Sequence, residues 1–127
     1  MKRIPILFAG LALLGMVALA ACATRPAAVQ ANQVMIVATE MRFSPSRIDA
    51  RVGQPVEITI VNQGSVRHDL AFPSIEMPGL KGLETLTMPG QSTHLTVTFD
   101  KPGTYPFICT IEGHAASGMT GAVFVSP

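Results

Sequence analysis

The stretch Cys109-Thr110-Ile111-Glu112-Gly113-His114-Ala115-Ala116-Ser117-Gly118-Met119 sets a thiol, an imidazole and a thioether at equal intervals on one glycine-punctuated loop. Folded back on itself, such a loop can bring all three donors to a common point. A second imidazole, His68, stands well upstream, directly before Asp69-Leu70-Ala71-Phe72. Two imidazoles, a thiolate and a weak thioether make the donor set of a type 1 copper site, in which the thioether tunes the potential. Little geometry changes in such a site when an electron moves, so the chemistry expected is one-electron transfer.

Each donor also has an ordinary reading. Cys109 alone suits a buried apolar thiol, Met119 suits core filler, and His68 suits an exposed or hydrogen-bonded histidine. Their joint occurrence, in this order, favours a metal. Zinc would accept some of the same ligands, but it prefers a closed set of four without a thioether, so Met119 points to copper. His94 falls on the polar parity of its strand and reads as solvated. Met35, Met41, Met77 and Met88 are scattered, and their default is packing. The loop has no second cysteine, which excludes a binuclear thiolate-bridged centre. No Ser-His-Asp or paired-carboxylate arrangement asks to be catalytic, so no enzyme is expected.

The elements that must position these donors read as strands. Val34-Met35-Ile36-Val37, Arg47 to Val52, Val56 to Val61, Asp69 to Phe72, Ser92 to Phe99, Thr104 to Cys109 and Thr120 to Val125 are separated by turn residues such as Gly53-Gln54-Pro55 and Lys101-Pro102-Gly103. Short strands at this spacing predict an all-β sandwich or barrel. Val56, Ile58 and Ile60 alternate with Glu57 and Thr59, and Leu95, Val97 and Phe99 with His94, Thr96 and Thr98, giving each strand one core face. Tyr105, Phe107 and Cys109 share a parity, which predicts an inward thiol at the end of its strand. Pro73 to Pro89 is the least legible stretch.

At 127 residues the chain has room for one domain, and its start does not resemble part of it. Met1-Lys2-Arg3 followed by the apolar run Ile4 to Ala20 has the form of an export signal, with a transmembrane anchor as the rival reading. Leu19-Ala20-Ala21-Cys22 resembles a bacterial lipobox, which predicts cleavage after residue 21 and a diacylglycerol on Cys22. The expected organisation is a lipoprotein signal over 1–21, a flexible tether over 22–33 and a globular unit over 34–127. Loss of Lys2 and Arg3 leaves seven basic against eight acidic side chains, which predicts neither a nucleic-acid surface nor a polybasic membrane patch. With two cysteines in an oxidising compartment, a Cys22 to Cys109 disulfide is the plain alternative, unless lipidation consumes Cys22.

Tyr105-Pro106-Phe107-Ile108-Cys109 through Gly113-His114 to Gly118-Met119, followed by Gly121-Ala122-Val123-Phe124-Val125, resembles the C-terminal copper loop of cupredoxins. Its Cys-x4-His-x4-Met spacing is most similar to rusticyanin and auracyanin. Met41-Arg42-Phe43-Ser44-Pro45, with Ile48, Val52, Gly53, Val56 and Asn62 before His68, is similar to the family's N-terminal half. The resemblance implies a Greek-key β-sandwich of about eight strands, one type 1 copper, and ligand roles for His68, Cys109, His114 and Met119. It also implies an electron exit at the edge of His114, where redox proteins would dock against small neutral neighbours. One position departs from the family. Many cupredoxins place Asn or Ser after the first ligand histidine, where it braces the ligand loops, whereas this chain has Asp69. Its carboxylate either lies near the metal and favours the more positive oxidised form, or faces solvent as an ordinary strand-start residue.

The resulting expectation is a monomeric, exported, membrane-anchored blue-copper protein facing the periplasm or cell exterior and carrying single electrons. A copper carrier that delivers metal through the same ligands is the first alternative, and a lipoprotein with a vestigial site is the second.

Overall fold

A computed structural model describes residues 31–75 and 85–127. The expected signal segment, Cys22, most of the expected tether, and Met77 lie outside the described residues. The described residues form seven strands: β1 (Asn32–Thr39), β2 (Arg42–Ser44), β3 (Arg47–Arg51), β4 (Pro55–Asn62), β5 (Ser92–Thr98), β6 (Gly103–Ile108) and β7 (Thr120–Ser126). They form two facing sheets, one ordered β2-β1-β4-β5 and the other β3-β7-β6. β1 runs parallel to β4 and β3 parallel to β7, while the other pairs are antiparallel. β1 starts at Asn32, two residues before the expected domain boundary, and the Asn32 side chain donates to the Asp49 carbonyl of the other sheet at 2.9 Å.

Alternation explains which faces meet. Val56, Ile58 and Ile60 of β4 and Leu95 and Val97 of β5 are buried, while their polar neighbours face outward. Val123 and Val125 of β7 and Ile48 and Ala50 of β3 close the core from the opposite sheet. Phe107 is central. Its ring meets Phe43 edge-on at 5.5 Å and Phe72 at 5.8 Å, and Phe72 meets Phe99 at 5.9 Å. Such edge-to-face contacts each add roughly 0.5–1.5 kcal/mol beyond area burial. They also fix β6 just before it reaches Cys109.

Two expectations are corrected. Asp69 to Phe72 is not a strand; it makes only isolated bridges, His68 to Thr87 and Ala71 to Ile108. The reason is local: Leu70 spends both backbone groups on one side chain, its N–H donating to Thr85 Oγ1 at 2.9 Å and its carbonyl accepting from the same hydroxyl at 2.8 Å. With those groups engaged, no ladder can continue through Leu70. Conversely, the three-residue β2 pairs with β1 and was not legible as a strand. The described residues thus hold seven strands rather than about eight.

Gly121 shows how closely the sheet interior is filled. A Cβ at this position would lie 2.3 Å from the Phe107 ring and 2.5 Å from the Ser46 carbonyl. Gly121→Ala should therefore displace Phe107 and cost about 1–3 kcal/mol, lowering the thermal midpoint by roughly 10 °C in a domain of this size. Thermal unfolding followed by circular dichroism measures this, and an unchanged midpoint would show that the ring yields freely.

Candidate metal centre

The β6–β7 hairpin carries three of the four expected donors. Register puts Ile108 opposite Thr120, so Cys109 and Met119, the next residues outward, flank the mouth of the loop between the strands. The Cys109 N–H donates to the Met119 carbonyl at 3.1 Å, and the Met119 N–H donates to the His114 carbonyl at 3.0 Å. Within the loop, His114 N–H bonds the Ile111 carbonyl and Ser117 N–H bonds the Gly113 carbonyl, both at 3.0 Å. Gly113 and Gly118 take φ values of +80° and +100°, which side chains with a Cβ rarely adopt, and these let the loop fold back.

His68 arrives from the other side. Its backbone pairs with Thr87 in both directions, at 3.1 and 2.8 Å. The buried Asn62 side chain holds the approach: it donates to the Val66 and Thr87 carbonyls, each at 2.8 Å, and accepts from Gly64 N–H at 2.9 Å.

The ligand atoms of His68, Cys109 and His114 lie within 4.8 Å of one another, and all three residues are buried. Cys109 Sγ is 3.4 Å from His114 Nδ1, and the two imidazole centroids are 5.2 Å apart. Met119 is fully buried, and its backbone bonds those of both Cys109 and His114. Both ring nitrogens of His68 are buried with no hydrogen-bond partner. Leaving such a group unsatisfied costs about 1–3 kcal/mol, so a buried imidazole without partners calls for one. A metal held jointly with Cys109 and His114 supplies it. Two imidazoles, a thiol and a thioether, all buried, fit copper, and the four form a type 1 copper site.

Electrostatics agree with that use. Burial, and then the neighbouring His114, push the His68 pKa below the usual imidazole value, keeping the ring neutral with a lone pair to give. Burial pushes the Cys109 thiol up, while the backbone amides of Asp69 and Ile111 pull it the other way by donating to the sulfur. Those amides suit a thiolate, so metal uptake should release the thiol proton.

Asp69 does not face solvent; it is buried. Its Oδ1 accepts from Thr110 N–H at 2.5 Å and its Oδ2 accepts from the Thr110 hydroxyl. The residue after ligand His68 thus ties down the residue after ligand Cys109. Thr110 is unremarked by any motif, as are Thr85 and Thr87, because their partners are distant in the chain. His94 lies exposed on the outer face of its sheet, bonded to Thr59 Oγ1 at 2.9 Å, and takes no part in the centre. Cys109 is a free, buried cysteine.

Met119 offers a graded test of the weak-ligand role. Met119→Leu should keep a coloured copper site and raise its potential, since loss of a donor disfavours the oxidised metal; Met119→Gln should lower it. A tenfold change in relative affinity corresponds to about 59 mV, the scale expected by voltammetry. Equal potentials in all three proteins would reduce Met119 to packing.

Known proteins bear on this geometry. A family model described as "Cupredoxin-like domain" matches residues 11–120. The copper-resistant cuproprotein CopI of Rubrivivax gelatinosus is 28% identical over 105 residues, covering 72% of this chain and 64% of that protein. The chloroplastic plastocyanin of Physcomitrium patens is 33% identical over 88 residues, covering 66% of this chain and 50% of that protein. The chain thus spans less than two thirds of the length of either relative. Among solved structures, the reduced auracyanin of Roseiflexus castenholzii superposes with a TM-score of 0.64 at 24% identity, over 76% of this chain and 98% of that one, a likeness of fold.

Proposed function

Because this chain belongs to the family of cupredoxin-like domains and carries a His-Cys-His-Met copper site, we propose that it carries single electrons between redox proteins in the cell envelope. Bound copper supplies a one-electron couple. The protein holds it with four side chains of its own, and His68, Cys109 and Met119 are buried, so no ligand position is offered to a substrate. Catalytic metal sites keep such a position open. The observation that carries the reading is that buried constellation, centred on an imidazole with no other partner.

His114 is the least buried of the four, at 8% exposure. Its neighbours Gly113, Ala115 and Ala116 are small and uncharged. Two of the three large apolar side chains exposed among the described residues, Val66 at 40% and Met88 at 47%, belong to the segments that Asn62 joins on either side of His68. Small, uncharged neighbours beside His114 suit the small, transient interfaces of redox partners.

A second reading is metal handling, favoured by the relatives described as copper-resistant cuproproteins. The two separate by experiment. An electron carrier should show rapid self-exchange, read from line broadening in mixtures of oxidised and reduced protein, and should keep its copper against a competing chelator. Prompt surrender of copper with slow exchange would favour delivery. We further propose that the mature protein begins at a lipidated Cys22, which anchors it to a membrane facing the periplasm or cell exterior. Mass spectrometry of the mature protein should find acyl chains that Cys22→Ala lacks; acyl groups on that variant would refute the anchor.

A further inference from the structure

The turn between β1 and β2 places a carboxylate against the loop that delivers His68. Glu40 Oε1 accepts from Ser65 N–H at 2.5 Å, from the Ser65 hydroxyl at 2.9 Å and from Val66 N–H at 3.2 Å. Beside it, Gln63 N–H donates to the Ala38 carbonyl at 2.9 Å, so the loop is tied to the end of β1 at a second point. The carboxylate sits so close to Gly64 that a Cβ there would lie 2.7 Å from Oε1 and 2.9 Å from Oε2. Gly64 does not have a positive φ, so the lack of room is set by Glu40 rather than by a left-handed backbone. From inside, Asn62 binds Gly64 N–H and the Val66 carbonyl. The loop is therefore gripped on both sides, by a buried amide and by an external carboxylate, immediately before ligand His68.

We propose that Glu40 is a positioning residue for the copper ligand His68, acting as the outer clamp of the loop that presents it. The inference rests on the copper-site reading and deepens it. Backbone N–H groups bind a carboxylate more strongly than a neutral acceptor. The Ser65 N–H first, then the Ser65 hydroxyl, the Glu40 amide itself and the Val66 N–H, hold the acid down to a pKa of about 2. The clamp is thus charged throughout the neutral range. His68 has no side-chain hydrogen bond of its own to orient its ring, so its placement depends on backbone restraint.

The test uses Glu40→Ala, Glu40→Gln, Gly64→Ala and the double variant Glu40→Ala/Gly64→Ala in the full domain. In metal-free protein, Glu40→Ala should speed hydrogen exchange at Ser65 and Val66 at least tenfold, a result that depends on the clamp and not on copper. In copper-loaded protein it should change the electron paramagnetic resonance spectrum and raise the rate of copper loss to a chelator several-fold. Glu40→Gln keeps an acceptor oxygen and should lie between Glu40→Ala and wild type. Gly64→Ala should imitate Glu40→Ala by expelling the carboxylate, and should add nothing once Glu40 is alanine. A role in fold stability alone would lower the thermal midpoint without altering the copper spectrum. Should Glu40→Ala fail to fold, Gly64→Ala and Glu40→Gln carry the same comparison. Wild-type spectra and copper-loss rates in Glu40→Ala or Gly64→Ala would overturn the clamp, whereas a wild-type protein giving no copper spectrum would overturn the copper reading beneath it.

Discussion

Cys109→Ser is expected to abolish the intense visible band and the reversible redox response of the copper-loaded protein while leaving the sandwich folded. The thiolate is the strong, soft donor of the set, and the charge-transfer colour of a type 1 site depends on it. A serine hydroxyl is a hard and weak ligand that would not ionise at a buried position. Cys109 is one buried member of the core, one residue beyond β6, and most of the interior is built from Phe43, Phe99, Phe107 and the aliphatic residues of β1, β4, β5 and β7. The fold therefore does not rest on the sulfur. Burying a hydroxyl in its place should cost about 1–3 kcal/mol, a drop in thermal midpoint visible in the metal-free protein. Stabilisation by added copper should also shrink, because it follows binding to the native state. Absorption spectra and thermal scans with and without copper measure both effects. A mutant that keeps the wild-type band would remove Cys109 from the ligand set.

The second large effect is expected at Asp69. Asp69→Ala removes the acceptor for the Thr110 N–H and hydroxyl, cutting the one side-chain link between the residues that follow His68 and Cys109. Hydrogen bonds to a charged group contribute about 1.5–3 kcal/mol, and water can recover part of this at the exposed Thr110, so a net loss of about 2 kcal/mol is expected. The copper spectrum should change with it, since the segments bearing two ligands are no longer joined. Asp69→Asn separates geometry from charge. Its amide oxygen can still accept from Thr110 N–H, so the fold and all four ligands should persist. The lost negative charge, buried and near the site, should disfavour the oxidised metal and raise the potential by about 59 mV or more, equivalent to at least tenfold in relative affinity. Voltammetry of the two variants beside wild type decides. Equal potentials for wild type and Asp69→Asn would show that the carboxylate acts only as a brace.

Most of the sandwich was legible because water lies on one side of each sheet. In β4 and β5 the apolar residues Val56, Ile58, Ile60, Leu95 and Val97 fall at alternate positions, and all five are buried. Where that pattern failed, the cause was a partner far away in sequence. Leu70 and Phe72 have strand parity with Asp69 and Ala71, but Thr85 takes both backbone groups of Leu70, and nothing in local spacing announces that hydroxyl. β2 is only three residues long, too short for any period to show.

The centre divides in the same way. Cys109, His114 and Met119 were legible because one loop carries them, and their types are unusual together. The residues that hold this loop in place were not. Asp69 left two readings open in the sequence, and only its contact with Thr110, 41 residues on, settles which way it turns. Glu40 belongs to no motif, and its role follows from the fold, which brings Ser65 and Val66 to it. Ligand chemistry is written in residue type, whereas the restraint on a ligand is written in topology.

The most direct measurement is a titration of the metal-free mature domain with Cu(II), followed by visible absorption. With His68, Cys109, His114 and Met119 as the ligand set, an intense blue or green band should grow to a sharp end point at one copper per chain, bleach with ascorbate and return on reoxidation. A weak band of ordinary cupric character, or colour that grows without an end point, would contradict a type 1 site in this chain.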